Sequence, residues 1–189
     1  QAVLKKYERI AFITDAGTPG ISDPGAELVS LALEQGHTVE VLPGATAFVP
    51  ALVASGLPTA QFCFEGFLPR KGRERKERLL QMAQRNMTSI IYESPQRIID
   101  TLKDLQEVCG QDHKASISRE ISKQFETIYR GTLEELIQQL SQREVRGEIV
   151  LVLGPAEKSS QINIEEKVLE LSSQGLEGRE LREALIALG

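Results

Sequence analysis

Three stretches of this sequence hold residue types whose spacing suits chemistry. The first, "ITDAGTPGISDPG" (13–25), follows the apolar run "RIAFI" and sets glycines at 17, 20 and 25 around prolines at 19 and 24. Glycine lets a backbone approach a ligand closely, and proline stiffens that approach. The second, "LPGATAF" (42–48), repeats the arrangement with an apolar run, a Pro-Gly turn and a helix expected to start near Thr46. Open α/β sheets bind ligands at the carboxyl ends of strands, where loops run into helices. The two loops are therefore either adjacent walls of one pocket or ordinary strand-to-helix turns. Neither is a GxGxxG or Walker sequence, so a dinucleotide or triphosphate is not indicated. The third, "RKGRERKER" (70–78), is basic at six of nine positions. Arg70, Lys71, Arg73, Arg75 and Lys76 offer phosphate contacts, and the competing reading is a solvated helix face. His37 and His113 lack partners at ligand spacing, and Cys63 and Cys109 lie far apart, so no metal site is expected and both thiols are read as reduced.

The elements that must position these residues alternate in type, which argues for an α/β protein. Strands are expected at 10–14 ("IAFIT"), 38–42 ("TVEVL"), 62–67 ("FCFEGF"), 89–93 ("SIIYE"), 115–119 ("ASISR") and 149–153 ("IVLVL"). Helix signals lie between them. "PGAELVSLALEQ" has Asp23 as expected N-cap, Pro24 at its first position and Gly36 past its end. "PQRIIDTLKDLQEVCG" has Ser94, Pro95 and Gly110 in the same roles, and Thr132 with Glu135 forms a capping box before "LEELIQQL". Behind the basic run, Leu79, Leu80, Met82 and Ala83 follow helical periodicity and read as core. "SGLPTAQ" marks a boundary, giving expected parts 1–58, 59–157 and, beyond the polar "SSQIN", 158–189 with two short amphipathic helices.

At 189 residues and 41% hydrophobic content the chain can bury an ordinary core. No run is long and apolar enough to span a bilayer, and the amino end lacks the order of a signal peptide, so a cytoplasmic protein is expected. The net charge of −5 argues against a protein that simply coats nucleic acid. It conceals a segregation: residues 69–131 hold thirteen Lys/Arg against nine Asp/Glu, while the flanking parts are acidic.

"DAGTPGISDPG", "PGATAFVPALVASGLP", "FCFEGFLPRKG", "IIYESPQRI", "SREISKQFETIYRGTLEEL" and "GEIVLVLGP" occur in the order and at about the spacing of the ribosomal RNA small subunit methyltransferase I family, which resembles the tetrapyrrole methylases. The resemblance covers roughly residues 9 to 189. It implies a two-lobed class III methyltransferase fold holding S-adenosylmethionine between the lobes, with a mixed sheet in the second lobe and a short helical segment at the carboxyl end. The family's opening strand, "PTPIGNL"-type loop and "EDTR"-type motif do not precede Gln1, so the first lobe is expected to be incomplete. Position by position, the resemblance implies cofactor contacts at Asp15, Ala16, Gly17 and Ile21, at Thr46 and Ala47, at Tyr92 and Glu93, and at Glu148 and Ile149.

The chemistry so implied is methyl transfer to a cytidine 2′-hydroxyl of small-subunit ribosomal RNA, where positioning does most of the work. A ribose hydroxyl needs help to lose its proton. "SREISKQFE" offers Glu120 as proton acceptor and Lys123 as a stabiliser of alkoxide character, against the reading of a structural ion-pair network. A homodimer is also expected, as is common among related methylases. Two other readings stay open: a small-molecule methylase of tetrapyrrole type, for which the basic run has no obvious use, and a non-catalytic fragment that keeps only a docking surface.

Overall fold

The computed structural model describes residues 6, 7, 9–15, 17–142, 144–156 and 178. Its elements are α1 (Ala26–Glu34), α2 (Phe48–Ser55), β1 (Phe62–Phe67), α3 (Arg73–Ala83), β2 (Thr88–Glu93), α4 (Ile98–Cys109), β3 (Lys114–Arg119), β4 (Thr127–Thr132), α5 (Leu133–Ser141) and β5 (Ile149–Leu153). The chain divides into two compact units, Gln1–Ala156 and Glu157–Gly189. The helices expected at 158–189 lie outside the described residues, apart from Gly178.

One mixed sheet organises the first unit, with strand order β1-β2-β5-β3-β4. β1 and β2 are parallel, while β5 runs antiparallel to both β2 and β3, and β3 pairs antiparallel with β4. β5 is central and buried at all five positions, as its unbroken "IVLVL" run requires of a strand covered on both faces. On one face Ile91, Ile117, Leu151 and Leu153 meet the apolar stripes of α3, α4 and α5. In α4 the stripe is Ile98, Leu102 and Leu105, fully buried at helical spacing. Each such side chain contributes about 1.5–3 kcal/mol through removal of apolar surface from water. On the other face Ile90, Val150 and Val152 meet Ala51 and Leu52 of α2, with Phe48, Phe64 and Tyr92 beside them. Thus α2, which precedes the boundary expected near residue 58, packs on the sheet that follows it.

Several local expectations need correction. Residues 10–14 and 38–42 are not strands, because no ladder joins them to any described residue. Apolar β-branched sequence favours extension, but a strand exists only through its hydrogen-bonded partner, and Ile13, Val41 and Leu42 stand exposed. Helix α1 begins after Gly25, not at Pro24, and Asp23 gives it no side-chain cap. Helix α4 begins at Ile98, since Ser94 to Arg97 form a turn in which the Ser94 carbonyl accepts from the N–H groups of Arg97 and Ile98. The Thr132–Glu135 capping box is present, with both reciprocal hydrogen bonds made. Leu79 and Met82 are core, but Leu80 faces solvent. β4 is an edge strand not anticipated from the sequence.

Candidate active site

The sheet topology brings the carboxyl ends of β1, β2 and β3 and the amino ends of β4 and β5 to one end of the sheet. A single row of paired residues crosses it: Phe67, Tyr92, Val150, Ser118 and Ile128. In a regular strand Phe64 and Phe67 would face opposite sides. The register of β1 slips between Phe64 and Gly66, an irregularity that inserts Glu65 as an extra residue. Both rings therefore reach Tyr92, at centroid distances of 4.9 Å for Phe64 and 5.7 Å for Phe67. Phe48 stacks on Phe64 at 4.8 Å, which continues the aromatic wall into α2. The displaced Glu65 carboxylate is held inside by Arg78 at 2.8 Å and by Arg85. Although burial opposes its charge, these partners keep it below the usual carboxylate range.

The two Gly/Pro loops converge beside this wall. Thr18 Oγ1 donates to the Ala45 carbonyl at 3.3 Å, and a Cβ on Gly44 would lie 3.1 Å from Thr18 Oγ1. Gly17 adopts φ +74°, and a Cβ there would sit 3.3 Å from the Ala45 oxygen, so the contact requires bare backbone. Further along the first loop, Ser22 borders the β1 irregularity, where a Cβ on Gly66 would come within 3.3 Å of Ser22 Oγ. Burial raises the pKa of the Tyr92 hydroxyl, and the nearby N–H groups of Phe48 and Ala47 oppose the rise. Gly17 thus meets the second loop at Ala45, beside Thr46 and Ala47 in sequence, and Asp15 and Ile21 stand exposed on the first loop. Ala16 lies outside the described residues. A concavity lined by close-approaching backbone and backed by aromatic rings fits a flat, polar, nucleoside-like group.

Beyond Tyr92, Glu120, Lys123 and Glu148 form one cluster. Lys123 Nζ lies 3.1 Å from Glu120 Oε1 and 3.1 Å from Glu148 Oε2. The Glu148 N–H donates to Glu120 Oε1 at 2.8 Å, and the Glu120 N–H donates to the Glu148 carbonyl at 2.9 Å. Glu120 holds φ +53°, and its side chain fills the space a Cβ on Gly147 would take, 2.5 Å away. The Glu148 N–H, and then Lys123, lower the pKa of Glu120, while Glu120 and then Glu148 raise that of Lys123. Both groups are therefore charged near neutrality. A carboxylate held low is a weak base, so this cluster suits a fixed cation better than a proton acceptor.

Two residues implied by the resemblance point elsewhere. Glu93 follows Tyr92 in β2 and so takes the opposite face. Its buried carboxylate accepts from the Ser94 N–H and Thr101 Oγ1, each at 2.8 Å, and pairs with Arg97 at 3.4 Å. Ile149 is likewise in the core beneath the helices, leaving only its main chain near the row. The basic run also divides. Arg75 is buried, bonded to Asp104, Thr101 and the Pro69 carbonyl, and does not belong to an outward basic face. Arg73 pairs with Glu77 and Arg78 with Glu65. Among the described residues, Arg70, Lys71 and Lys76 are exposed and have no carboxylate partner. Arg70, Arg97 and Asp100 line a polar recess of about 270 Å³ with Arg75, Thr101 and Asp104. His113 is buried, with Nε2 3.0 Å from the Gly154 carbonyl, and so has a structural role. Sequence reasoning passed over Phe67 and Arg97, whose only signals are an aromatic at a strand end and an arginine in a turn. No group of His, Cys, Asp and Glu able to hold a metal occurs among the described residues.

The mixed sheet and its helical layers are those of an α/β protein, and the chain belongs to the tetrapyrrole (corrin/porphyrin) methylase family, whose model matches residues 1–137. Within that family it is similar to the ribosomal RNA small subunit methyltransferase I of Synechocystis sp., with 42% identity over 180 residues, covering 93% of this chain and 64% of that protein. The protein of the same name from Haemophilus influenzae is 43% identical over 180 residues, covering 94% of this chain and 62% of the relative. The chain thus spans 62–64% of the length of these curated relatives. Among solved structures, the uroporphyrin-III C-methyl transferase from Thermus thermophilus complexed with S-adenyl homocysteine aligns with a TM-score of 0.51 at 26% identity, covering 73% of this chain and 62% of that one. The expected family and fold class are confirmed by these matches.

Proposed function

We propose that this chain carries the S-adenosylmethionine site of a methyltransferase that modifies the 2′-hydroxyl of a cytidine in small-subunit ribosomal RNA. The observation that carries the reading is the convergence of the two Gly/Pro loops on Tyr92, where Gly17 meets Ala45 and the Tyr92 hydroxyl meets the Ala47 and Phe48 N–H groups. The names of the relatives support ribosomal RNA as substrate, and the product-type ligand of the Thermus protein supports the cofactor. Bound S-adenosylmethionine supplies a sulfonium methyl group whose leaving group is a neutral thioether. The chain's own part is to fix geometry: the loops present backbone donors and acceptors, and the aromatic wall excludes water from one side. As the C–S bond breaks and the C–O bond forms, the ribose proton must leave. Lys123 provides a fixed positive charge that favours alkoxide character, and water accepts the proton.

A small-molecule substrate of tetrapyrrole type is the second reading. The names of the relatives disfavour it, while the exposed Arg70, Lys71 and Lys76, without carboxylate partners among the described residues, suit an anionic substrate of either kind. A cytoplasmic location and a homodimer belong to the proposal. No helix among the described residues is long and apolar enough to cross a membrane. Calorimetric titration with S-adenosylhomocysteine tests the cofactor site: saturable binding is expected, and its absence would leave the docking-only reading.

A further inference from the structure

Phe67 is 58% exposed at the end of β1, an edge strand of the sheet. Its ring is not loose: it meets Tyr92 at 5.7 Å with planes tilted by 63°, and the register slip in β1 is what turns it to that side. One flank of the ring is thereby fixed and the rest is left to solvent. Three and four residues on, within about 10–14 Å along even a fully extended chain, Arg70 and Lys71 are exposed, and neither has a carboxylate partner among the described residues. Arg70 also borders the polar recess with Arg97. Elsewhere on the basic segment Arg73, Arg75 and Arg78 are tied to Glu77, Asp104 and Glu65, and Lys76 stands a further turn along α3 without a carboxylate partner among the described residues. An exposed, oriented aromatic and two exposed cations without carboxylate partners among the described residues therefore share one five-residue segment at the end of β1.

We infer that Phe67, Arg70 and Lys71 form a landing surface for single-stranded RNA, with a base stacked on Phe67 and the flanking phosphates on the two cations. This rests on the RNA reading above and extends it by naming where the strand lies and that it is unpaired. Every base has a π face, and an aromatic side chain offers it a stacking platform only when the base is free of a duplex. Arg70 and Lys71 add a sequence-independent attraction for the backbone.

The test uses the full chain, a fluorescent single-stranded RNA oligonucleotide, the same strand in a duplex, and S-adenosylhomocysteine. Phe67→Ala and Phe67→Leu should each weaken single-strand binding by roughly 5- to 100-fold, the range for loss of one stacked base, whereas Phe67→Tyr should bind as the parent does. Arg70→Gln with Lys71→Gln should lower the slope of log affinity against log salt by about 0.7 per lost contact. S-adenosylhomocysteine affinity and the thermal midpoint should not change with Arg70→Gln and Lys71→Gln, and Phe67→Tyr should keep both at the parent's values. Parent-like single-strand binding by both Phe67→Ala and Phe67→Leu overturns the inference and leaves the RNA reading standing. A drop confined to S-adenosylhomocysteine affinity also overturns it, assigning the ring to the cofactor wall. Tighter binding of duplex than of single strand by the parent rejects the unpaired substrate, and failure of the parent to bind any RNA rejects the RNA reading itself.

Discussion

The Tyr92 ring at the carboxyl end of β2 meets the Phe67 ring at 5.7 Å, and its hydroxyl faces the Phe48 and Ala47 N–H groups at the start of α2. The ring below is held by Phe64 and Phe67. Tyr92→Phe keeps that packing and removes only the hydroxyl. It should cost about 1 kcal/mol in chemical denaturation, the ordinary worth of a hydrogen bond, and should weaken S-adenosylhomocysteine binding several-fold in calorimetry. Parent-like affinity would detach Tyr92 from the ligand site.

Gly17→Val tests the cradle. The position has φ +74°, and a Cβ meets the Ala45 carbonyl at 3.3 Å. A β-branched residue there adds strain of about 1–3 kcal/mol and pushes the two loops apart. Cofactor affinity should fall by tenfold or more, while the five-stranded sheet, which Gly17 does not touch, keeps its far-ultraviolet signal. An unaltered titration would place the ligand elsewhere.

Glu93→Ala separates a structural role from a ligand role. Its carboxylate is fully enclosed and holds Ser94, Thr101 and Arg97. Removing it should destabilise the protein by about 2 kcal/mol or more, since buried donors lose a charged acceptor. Affinity for S-adenosylhomocysteine, measured well below the unfolding temperature, should change less than in Tyr92→Phe. A larger loss of affinity than of stability would restore Glu93 to the ligand site.

The Glu120–Lys123 pair sets a pH dependence. Folding lowers the Glu120 pKa and raises that of Lys123. The Glu120 contribution is therefore present above its unfolded value, about 4.3, and is lost as pH falls through the lower folded value. The Lys123 contribution is present below about 10.4 and is lost as pH rises through the higher folded value. Urea midpoints of Glu120→Gln should fall less steeply on acidification than those of the parent, with the difference reduced in high salt. Parallel curves would mean that the pair has no thermodynamic weight.

How much of this was legible in the sequence depends on what each feature needs. β1 was visible through its aromatic residues, and β2, β3 and β5 through apolar, largely β-branched segments set between turn residues. The capping box at Thr132 and Glu135 was visible because its partners are local. β4 escaped notice because "TIYRGT" is a half-exposed edge strand carrying Arg130 and Gly131, which dilute its pattern. Residues 10–14 and 38–42 carried the strand pattern without the partners that complete it. The opposite facings of Tyr92 and Glu93 follow from strand alternation once β2 is fixed, whereas the meeting of Phe67 with Tyr92 depends on a register slip at Glu65 that no local pattern encodes. The basic run showed its charge but not its pairing, since Asp104 and Glu65, which take Arg75 and Arg78, are distant in sequence.

The central claim is methyl transfer to RNA, and the direct measurement is incubation of the full chain with radiolabelled S-adenosylmethionine and small ribosomal subunits, followed by nuclease digestion and mass spectrometry of the nucleosides. The account predicts label in a 2′-O-methylated cytidine, and its loss with Gly17→Val. Label at a nucleoside position other than a cytidine 2′-oxygen, or no transfer to the subunits by a chain that binds the cofactor, would contradict it.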